Sequence, residues 1–375
     1  MPPILSAELT ALGYSVTTVH PAGVEIRGSF SDCIRLNMNL RTAHRVLYRL
    51  GSFEAATPAD VYRQAKRISW EDWIPVDGYM AVVSSVDTSS ISNTQYANVK
   101  LKDAIVDRLR DRFGRRPDSG PRTDRTVVFL YWHGTTCMVY IDTSGASLSD
   151  RGYRLDPRKA PLRESLAAAI ILSTTWDQQS AASFVNPMCG SGTLAIEAAM
   201  MAASMAPGLL RTSYAFKHVV PYRHAMDEDH RDAARAAVRP PAGAIVATDV
   251  DRASVLATKA NAERAGVAEW ITTHVCDFAA TKLPDLPGVI VMNPEYGLRL
   301  GDTNELAATY EAMGDWFKQH CEGWTGYIFT GNLELAKKIG LRTSRRVPLW
   351  NADVECRLLG FELYAGSKKG MPRNG

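Results

Sequence analysis

The stretch VIVMNPEYGLRLGD, residues 289–302, ends an apolar run in a short polar motif. An exocyclic amino group on a nucleobase is a poor nucleophile, because its lone pair is delocalised into the ring. The side-chain oxygen of Asn293 and the carbonyl of Pro294 are two acceptors that could hold its two hydrogens, in a turn that proline stiffens. Tyr296 could stack on an extruded base. The motif fits alkylation of such a nitrogen, although Asn-Pro is also an ordinary turn after a strand.

A glycine-rich turn occurs earlier, in FVNPMCGSGTLAIEAAMMAA. Gly190 and Gly192 would let the backbone approach a ligand closely, and Thr193 begins a predicted helix whose amide end favours polar or anionic groups. The spacing matches the dinucleotide pattern G-x-G-x-x-G/A only weakly, since an acid is expected about 20 residues later. Around residue 212 the sequence is TSYAFKH, which has no carboxylate. A dinucleotide site is therefore disfavoured.

Acidic residues end the next two predicted strands. Asp249 follows the apolar run IVAT, and Asp277 with Phe278 follows THVC. Asp249 could accept hydrogen bonds from ribose hydroxyls, Asp277 could accept one from an adenine amino group, and Phe278 could pack on the ring. Ligands collect at the carboxyl ends of parallel strands, so these groups together suit an adenosine-type ligand. The alternative for Asp249 is a helix N-cap, because DVDRASV opens a predicted helix.

The elements that position these residues alternate along the second half of the chain. Compact apolar strands (SFVNP, AIVATDV, ITTHVCD, VIVMNP and TGYIFTGN) are separated by helical runs such as LRESLAAAIILSTTW and SVLATKANAERAG. This pattern predicts an α/β domain over residues 151–375, with a parallel sheet covered on both faces.

The first 150 residues have a different texture, with a boundary at SDRGYRLDPRKAP. Residues 1–53 read as a small α+β unit with a helix over DCIRLNMNLRTAHRVLYRL, whose basic residues would form its solvated face. Residues 54–150 read as a second unit with a helix starting at Thr57-Pro58, a strand YMAVVSSVD, a basic helix at 96–113 and a hairpin in TVVFLYWHGTTCMVYIDTSG.

Positive charge is concentrated in the second unit. The net charge of the chain is +3, but residues 99–125 hold nine Lys or Arg against five Asp. Such a cluster is the footprint expected for a phosphate-rich partner, with a solvated helix face as the alternative. The cations predicted to contact such a partner are Lys100, Lys102, Arg108, Arg115 and Arg116.

Composition limits the remaining classes. The 375 residues are 46% hydrophobic and include six cysteines with no CxxC pair, which argues against a zinc site and a disulfide framework. The N-terminus lacks the features of a signal peptide, and no apolar stretch reaches the ~20 residues that a membrane span needs. We therefore expect a cytoplasmic protein with no metal and no membrane partner.

The motifs NPMCGSGTLAIEAA, TDVD, CDF and NPEYGLRLGD resemble those of class I S-adenosylmethionine-dependent methyltransferases that act on amino groups. With NTQYANVKLKDAIVDRLR, RGYR, APLRESLAAAII and NADVECRLLGFELY, the chain resembles the THUMP-domain RNA guanine-N2 methyltransferases, most closely the bacterial enzymes that act on 23S ribosomal RNA. The resemblance implies a ferredoxin-like unit, a THUMP domain for RNA and a Rossmann-like catalytic domain. It also implies S-adenosylmethionine as cofactor and N2-methylguanosine as product.

The family motifs also assign roles to single residues. The implied donor pocket consists of Asn186, Pro187, Cys189, Gly190, Gly192, Asp249, Asp277 and Phe278. The implied catalytic motif is Asn293, Pro294 and Tyr296, and the RGYR segment contributes Arg151, Tyr153 and Arg154. The family pattern is (D/N)PP(Y/F), so Glu295 replaces its second proline; we expect the side chain to face solvent and the chemistry to survive.

Three other functions stay open at this point. The substrate could be tRNA rather than 23S ribosomal RNA. The motif does not distinguish adenine from guanine, which leaves a DNA adenine-N6 methyltransferase, although the N-terminal units argue against DNA. A catalytically impaired RNA-binding homologue is the third alternative, because of Glu295. The sequence does not specify an oligomeric state.

Overall fold

The computed structural model describes residues 1–91, 93–154, 162–295 and 303–364. The chain divides into two compact units. The seven-stranded unit comprises Met1–Ala7, Arg151–Met205 and the chain from Ala237 onward. The five-stranded unit comprises Glu8–Asp150 and Ala206–Ala236. The predicted boundaries at 53 and 150 stay predictions, because these units are spatial groupings rather than sequence domains.

Helices and strands alternate through most of the described chain. The α-helices are α1 (Pro2–Ala11), α2 (Phe30–Asn39), α3 (Pro58–Ala65), α4 (Thr94–Phe113), α5 (Glu164–Leu172), α6 (Thr193–Ala202), α7 (His224–Ala236), α8 (Arg252–Ala265), α9 (Thr303–His320) and α10 (Leu333–Lys338). The strands are β1 (Val16–His20), β2 (Gly23–Ile26), β3 (Leu47–Glu54), β4 (Tyr79–Asp87), β5 (Asp118–Ser119), β6 (Thr126–His133), β7 (Thr136–Asp142), β8 (Phe184–Pro187), β9 (Ile245–Asp249), β10 (Ile271–Val275), β11 (Val289–Met292), β12 (Thr325–Thr330), β13 (Arg345–Asn351) and β14 (Val354–Glu362).

The seven-stranded sheet has the order β10-β9-β8-β11-β12-β14-β13. The first five of these strands are parallel to one another, and β14 runs antiparallel to both β12 and β13. Every residue of β8 and β11 is buried, as expected for central strands covered on both faces. The five predicted parallel strands are confirmed. The antiparallel strands β14 and β13 extend the sheet at one edge.

Local signals set the helices that border the sheet. α6 begins at Thr193, immediately after Gly192. The side chain of Asp251 accepts hydrogen bonds from two backbone N–H groups at the start of α8, and Gly266 ends that helix in the left-handed region with φ +70°. An acidic N-cap and a left-handed glycine are the usual signals for the two ends of a helix.

The five-stranded sheet has the order β3-β7-β6-β4-β5. β6 and β7 form the predicted hairpin, which turns at Gly134 with φ +58°. The predicted basic helix is α4, which has 20 residues and ends at Gly114. β1 and β2 form a separate two-stranded hairpin.

The helix predicted over residues 32–50 is wrong in its second half. α2 ends at Asn39, and residues 47–54 form β3 instead. The carboxylate of Glu8 accepts hydrogen bonds from the backbone N–H groups of Arg41 and Thr42, at 2.6 and 3.1 Å, and so stabilises a loop where the apolar spacing indicated helix. Arg45 is exposed, as predicted, and its guanidinium pairs with the fully buried Asp142.

Residues 206–236 return to the five-stranded unit. The backbone N–H groups of Ala215 and Phe216 donate to the carbonyls of Ser144 and Thr143, at 3.4 and 3.0 Å. Thr126 Oγ1 donates to the carbonyl of His218 at 2.7 Å. These bonds hold the short 3₁₀ helix Ala215–His218 next to the hairpin.

Candidate active site

The carboxyl ends of β8 and β11 lie where the strand order of the seven-stranded sheet reverses. β8 pairs with β9 on one side and with β11 on the other, both in parallel. In open α/β sheets the crevice at such a point binds ligands. The turn at 188–192 follows β8, and Asn293-Pro294 follows β11. The glycine turn and the Asn-Pro motif therefore leave the sheet on neighbouring strands.

The turn after β8 has two glycines in the left-handed region, Gly190 with φ +56° and Gly192 with φ +81°. A Cβ on Gly192 would lie 2.6 Å from Cγ2 of Thr258. A Cβ on Gly190 would meet no heavy atom of the described residues within 4 Å. Gly192 therefore allows close packing on α8, and the space beside Gly190 is open to a ligand.

Two side chains of α8 hold this turn, and the sequence analysis missed both. Thr258 Oγ1 donates to the carbonyl of Gly190 at 2.9 Å, and Asn261 Nδ2 donates to the carbonyl of Ser191 at 3.0 Å. Both residues are buried. Their spacing of three places them on one helix face, which was the available signal, but polar residues at that spacing are common on helices.

Asp249 contacts the same turn. Its Oδ2 accepts a hydrogen bond from the Gly190 N–H at 2.9 Å, and its Oδ1 accepts one from the Asp251 N–H at 2.9 Å. The N-cap of α8 is Asp251. The helix-capping role that the sequence left open for Asp249 is therefore filled by Asp251. A carboxylate has about four lone-pair sites, which leaves Asp249 able to accept further hydrogen bonds.

Asp277 and Phe278 follow β10. Asp277 is exposed, and its Oδ1 accepts a hydrogen bond from the Ala279 N–H at 2.9 Å. Phe278 is 8% exposed, and its ring lies edge-on to Trp316, 6.0 Å away between centroids. Phe278 is thus part of the core beneath this edge of the sheet, and its predicted contact with an adenine ring stays a prediction.

Asn186 links the two central strands. Its side-chain nitrogen donates to the Val291 carbonyl at 2.8 Å, beyond the last paired residues of β8 and β11. The residue is 1% exposed, and its Oδ1 has no hydrogen-bond partner among the described residues. Pro187 is buried beside it and ends the strand. The bond made by Nδ2 fixes which way the amide points, so that Oδ1 is a free buried acceptor.

Asn293 supplies a second buried acceptor. Its Oδ1 is also without a partner within the described part of the chain. Pro294 is buried, whereas the Glu295 side chain is exposed, as expected. The hydroxyl of Tyr310 lies 3.4 Å from the Glu295 carbonyl and supports the backbone after the motif. Tyr296 lies outside the described residues. An unpaired buried acceptor requires a reason, and a ligand donor is a common one.

Cys189 lies in the glycine turn but is not a nucleophile at neutral pH. Burial raises the pKa of its thiol to about 12. The backbone N–H of Cys189 donates to the Thr248 carbonyl at 2.9 Å, and its sulfur lies 3.5 Å from Thr258 Oγ1. The residue therefore shapes the turn as a neutral thiol.

A buried charged cluster fixes the RGYR segment against α6. Arg151 Nε lies 3.4 Å from Glu197 Oε1, and the Tyr153 hydroxyl donates to the same oxygen at 3.3 Å. Arg154 donates to Thr193 Oγ1 at 3.1 Å and pairs with Glu164 at 3.3 Å. Burial raises the pKa values of Tyr153 and Glu164. The cluster thus holds the first turn of α6 in place.

The predicted RNA-contacting cations differ in availability. Arg115 and Arg116 are exposed, and Lys100 and Lys102 are half-buried. Arg108 is engaged inside the protein: its guanidinium pairs with Glu71 at 2.7 Å and also donates to the carbonyls of Lys66 and Arg67. The structure therefore gives Arg108 a role in holding α4, and its predicted contact with RNA stays a prediction.

Two features of other protein classes are absent from the described ranges. They contain no group of three or more His, Cys, Asp or Glu placed to hold a metal ion. In these same residues no helix is both long and apolar enough to cross a membrane.

The strand order, the glycine turn and the Asn-Pro motif define a class I S-adenosylmethionine-dependent methyltransferase fold. The chain belongs to the UPF0020 family, because the model of its RMKL-like methyltransferase domain matches residues 151–359. Models of the RlmL ferredoxin-like domain and the THUMP domain match residues 1–47 and 55–142. The predicted family and fold class are confirmed, as is the S-adenosylmethionine dependence of the family.

Known proteins similar to the chain agree with this assignment. A protein of Syntrophotalea carbinolica named ribosomal RNA large subunit methyltransferase K/L is 36% identical over 96% of the chain and 52% of its own length. The chain thus spans about half the length of this relative. The crystal structure of SMU.472 complexed with SAH superposes with a TM-score of 0.86 and 28% sequence identity. The match covers 98% of the chain and 96% of the SMU.472 chain. The crystal structure of a possible methylase from Clostridium difficile 630 superposes with a TM-score of 0.88 and 30% sequence identity. The match covers 100% of the chain and 97% of the methylase chain.

Proposed function

We propose that the protein transfers a methyl group from S-adenosylmethionine to the exocyclic N2 of a guanine in RNA, with 23S ribosomal RNA as the favoured substrate and tRNA as the alternative. The observation that supports this proposal most is the buried Oδ1 of Asn293, which has no partner among the described residues and follows the strand next to the glycine turn. The name of the Syntrophotalea relative supports ribosomal RNA as the substrate class. A cytoplasmic location belongs to the same proposal.

The residues of the turn fit an adenosyl donor. Open space lies beside Gly190, and Asp249 retains lone pairs for hydroxyl donors. The free Oδ1 of Asn186 can accept a hydrogen bond at the same edge of the sheet. We assign donor binding to these residues together with Pro187, Cys189, Gly192, Asp277 and Phe278. The sulfonium donor supplies an electrophilic methyl group and leaves as a neutral thioether.

Asn293 and Pro294 prepare the nitrogen that is methylated. Asn293 Oδ1 and the Pro294 carbonyl accept the two N–H hydrogens, which withdraws the nitrogen lone pair from the ring and leaves it free to react. The N–C bond forms as the C–S bond breaks, and the extra proton is then lost to water. Tyr296 stacks on the base, and the exposed Glu295 takes no part in the transfer.

The RNA contact is assigned to the THUMP region. Its exposed cations Arg115 and Arg116, with Lys100 and Lys102, would contact phosphates and position the RNA without reading its sequence. Base choice is then left to the pocket at Asn293. We also propose that the sequence divides into three domains, at residues 1–53, 54–150 and 151–375.

Labelled S-adenosylmethionine tests the proposal directly. The protein is incubated with unmodified 23S ribosomal RNA, tRNA or DNA, and each product is digested to nucleosides. We expect label in N2-methylguanosine from 23S ribosomal RNA. Label in N6-methyladenine from DNA would replace the proposal with the DNA alternative. Binding of the donor without transfer to any substrate would indicate an impaired homologue.

A further inference from the structure

The five-stranded unit contains a cavity of about 330 Å³ that the proposed transfer chemistry does not use. The residues that matter for its chemistry are Tyr79, Arg125, Lys217, His218 and Tyr222, and we call it the Arg125 cavity. Its walls come from the start of β4, the start of β6 and the segment that returns to this unit after α6.

The cavity walls are held by hydrogen bonds rather than by loose side chains. The Val220 N–H donates to the Trp73 carbonyl at 3.0 Å, which adds to the bond between Thr126 and His218. The hydroxyl of Tyr79 accepts a hydrogen bond from the Arg122 N–H at 3.1 Å. The backbone around the cavity and the Tyr79 side chain are therefore held in place before any ligand binds.

Arg125 is the cation available to a ligand. It is exposed, and none of the carboxylates in the described residues forms an ion pair with it. Its Nη1 lies 3.5 Å from His218 Nδ1. Burial and the nearby Arg125 lower the pKa of His218, so the imidazole is neutral at pH 7 and can accept that hydrogen bond. Arg125 thus has a neutral partner and uncompensated charge.

The other charged groups near the cavity balance one another. Arg223 donates to the carbonyls of Val220 and Tyr222, both at 2.8 Å. Arg122 lies 3.9 Å from Asp124, and Lys217 lies 2.9 Å from the buried Asp227. Each of these two pairs is neutral, and the exposed Asp77 on the loop before β4 offsets the charge of Arg223. Arg125, which lines the cavity, remains to attract a single anionic group such as a phosphate.

Aromatic rings complete the site. Tyr79 and Tyr222 line the cavity, and the Arg122 guanidinium lies 4.5 Å from the Tyr79 ring centroid. Stacked aromatic and guanidinium groups next to a free cation are the components that bind single-stranded nucleic acid, in which each nucleotide offers a flat base and a phosphate. The volume suits one nucleotide and is too small for a duplex, whose bases are already stacked.

We propose that the Arg125 cavity binds one unpaired nucleotide of RNA, with its phosphate on Arg125 and its base against Tyr79 and Tyr222. This inference rests on the proposed function, since it locates part of the RNA contact. It adds to the contact predicted at Lys100, Lys102, Arg108, Arg115 and Arg116. Of these, Arg108 is bound to Glu71, as is Arg112. The single carboxylate of Glu71 offsets only one of these two positive charges.

The test measures binding of the full chain to a single-stranded RNA oligonucleotide, without S-adenosylmethionine, over a range of salt concentrations. Arg125→Ala is expected to weaken binding about fivefold at low salt and to reduce the slope of log K against log salt by about 1. Arg125→Lys should restore much of both. The matched control is Arg27→Ala, which removes an exposed arginine that does not line the cavity.

The outcomes separate this inference from the proposed function. Equal losses in Arg125→Ala and Arg27→Ala would overturn the cavity as a site, because general charge would then explain both. Wild-type binding with no loss in Arg125→Ala would also overturn it and leave the methyltransferase proposal intact. No RNA binding by the wild-type chain would count against both. A larger loss for duplex than for single-stranded RNA would contradict the unpaired nucleotide.

Discussion

At the scale of single residues, the Oδ1 of Asn293 is the most informative atom of the molecule. It is buried without a partner in the described part of the chain. Leaving such an acceptor unpaired costs about 1–3 kcal/mol of folding free energy, and a donor group on a bound ligand would remove that cost. The proposed ligand is a guanine amino group.

Replacing this residue should therefore affect turnover more than donor binding. Asn293→Ala is expected to lower kcat for methyl transfer about 10²- to 10³-fold, the usual effect of removing one preorganised polar group. The dissociation constant for S-adenosylmethionine, measured by calorimetry, should stay within about twofold, because that site has other contacts. Glu295→Gln, at the exposed neighbouring residue, is the control and should be close to wild type. Normal turnover in Asn293→Ala would remove the residue from the mechanism.

Cys189 provides a second prediction at this scale. Because burial raises its thiol pKa to about 12, it should react with iodoacetamide at pH 8 at least about tenfold more slowly than the half-exposed Cys276. Peptide mapping by mass spectrometry after timed alkylation of the folded chain measures both rates. Equal rates would show that the turn opens far more than the structure indicates.

The sequence indicated the residue types of the site but not their partners. Asn186, Gly190, Asp249 and Asn293 stand out because they follow apolar strands. The bond from Asn186 to the Val291 carbonyl joins residues 105 apart in the chain, and no local pattern encodes such a pair.

At the scale of elements, α8 supports the glycine turn through Thr258 and Asn261. Thr258→Val keeps the shape of the side chain but leaves the Gly190 carbonyl without its hydrogen bond. The KM for S-adenosylmethionine should rise about three- to tenfold, with little change in kcat, since one hydrogen bond contributes about 1 kcal/mol. Thr258→Ser should restore the KM. If Thr258→Val changed only the melting temperature, Thr258 would have no role in donor binding.

α4 depends on a buried carboxylate. The hydrogen bond from Arg108, together with Arg112, lowers the pKa of Glu71 to about 2, and its side chain is 7% exposed. A lowered carboxyl pKa stabilises the fold above the ordinary value of 4.5, and this stabilisation is lost as pH falls toward about 2.

Glu71→Gln should therefore lower the free energy of unfolding by about 1–2 kcal/mol at pH 7. The difference from wild type should shrink as the pH falls below about 4.5. Urea unfolding at several pH values measures it. Arg112→Ala is the control and should cost less, because Arg112 is 58% exposed and Arg108 would remain. A difference independent of pH would exclude the ion pair as its cause.

Most elements were predictable, because their signals are local. The strands of the parallel sheet are short apolar runs, and α3 begins at a Thr-Pro signal with a capping box. The error at residues 40–50 had a non-local cause. Glu8 satisfies the loop at Arg41 and Thr42, and β3 pairs with β7 about 90 residues away in the chain, so tertiary contacts overrode the helical spacing.

At the scale of the whole molecule, the distribution of charge matters more than its sum. The net charge is only +3, yet residues 99–125 have nine cations against five Asp. Affinity for RNA should fall at least about tenfold between about 50 and about 200 mM salt, as release of counterions requires. Filter binding over that range measures the slope. Affinity independent of salt would argue against an RNA partner held by phosphates.

The return of residues 206–236 to the five-stranded unit could not be predicted from sequence. The segment follows α6 directly, and its composition gives no sign of the change of unit. The bonds from Ala215 and Phe216 to Ser144 and Thr143 join distant parts of the chain. The Arg125 cavity depends on this return, so the sequence indicated the basic cluster but not the cavity.

The most direct test of the central claim is a crystal structure of the full chain with S-adenosylhomocysteine and a guanine-containing RNA fragment. The measurement is the distance between Asn293 Oδ1 and the guanine N2. We predict about 3 Å, with the Pro294 carbonyl at a similar distance from the same nitrogen. A guanine whose amino group lies away from both oxygens, or an Asn293 side chain turned toward the core, would contradict the proposed mechanism.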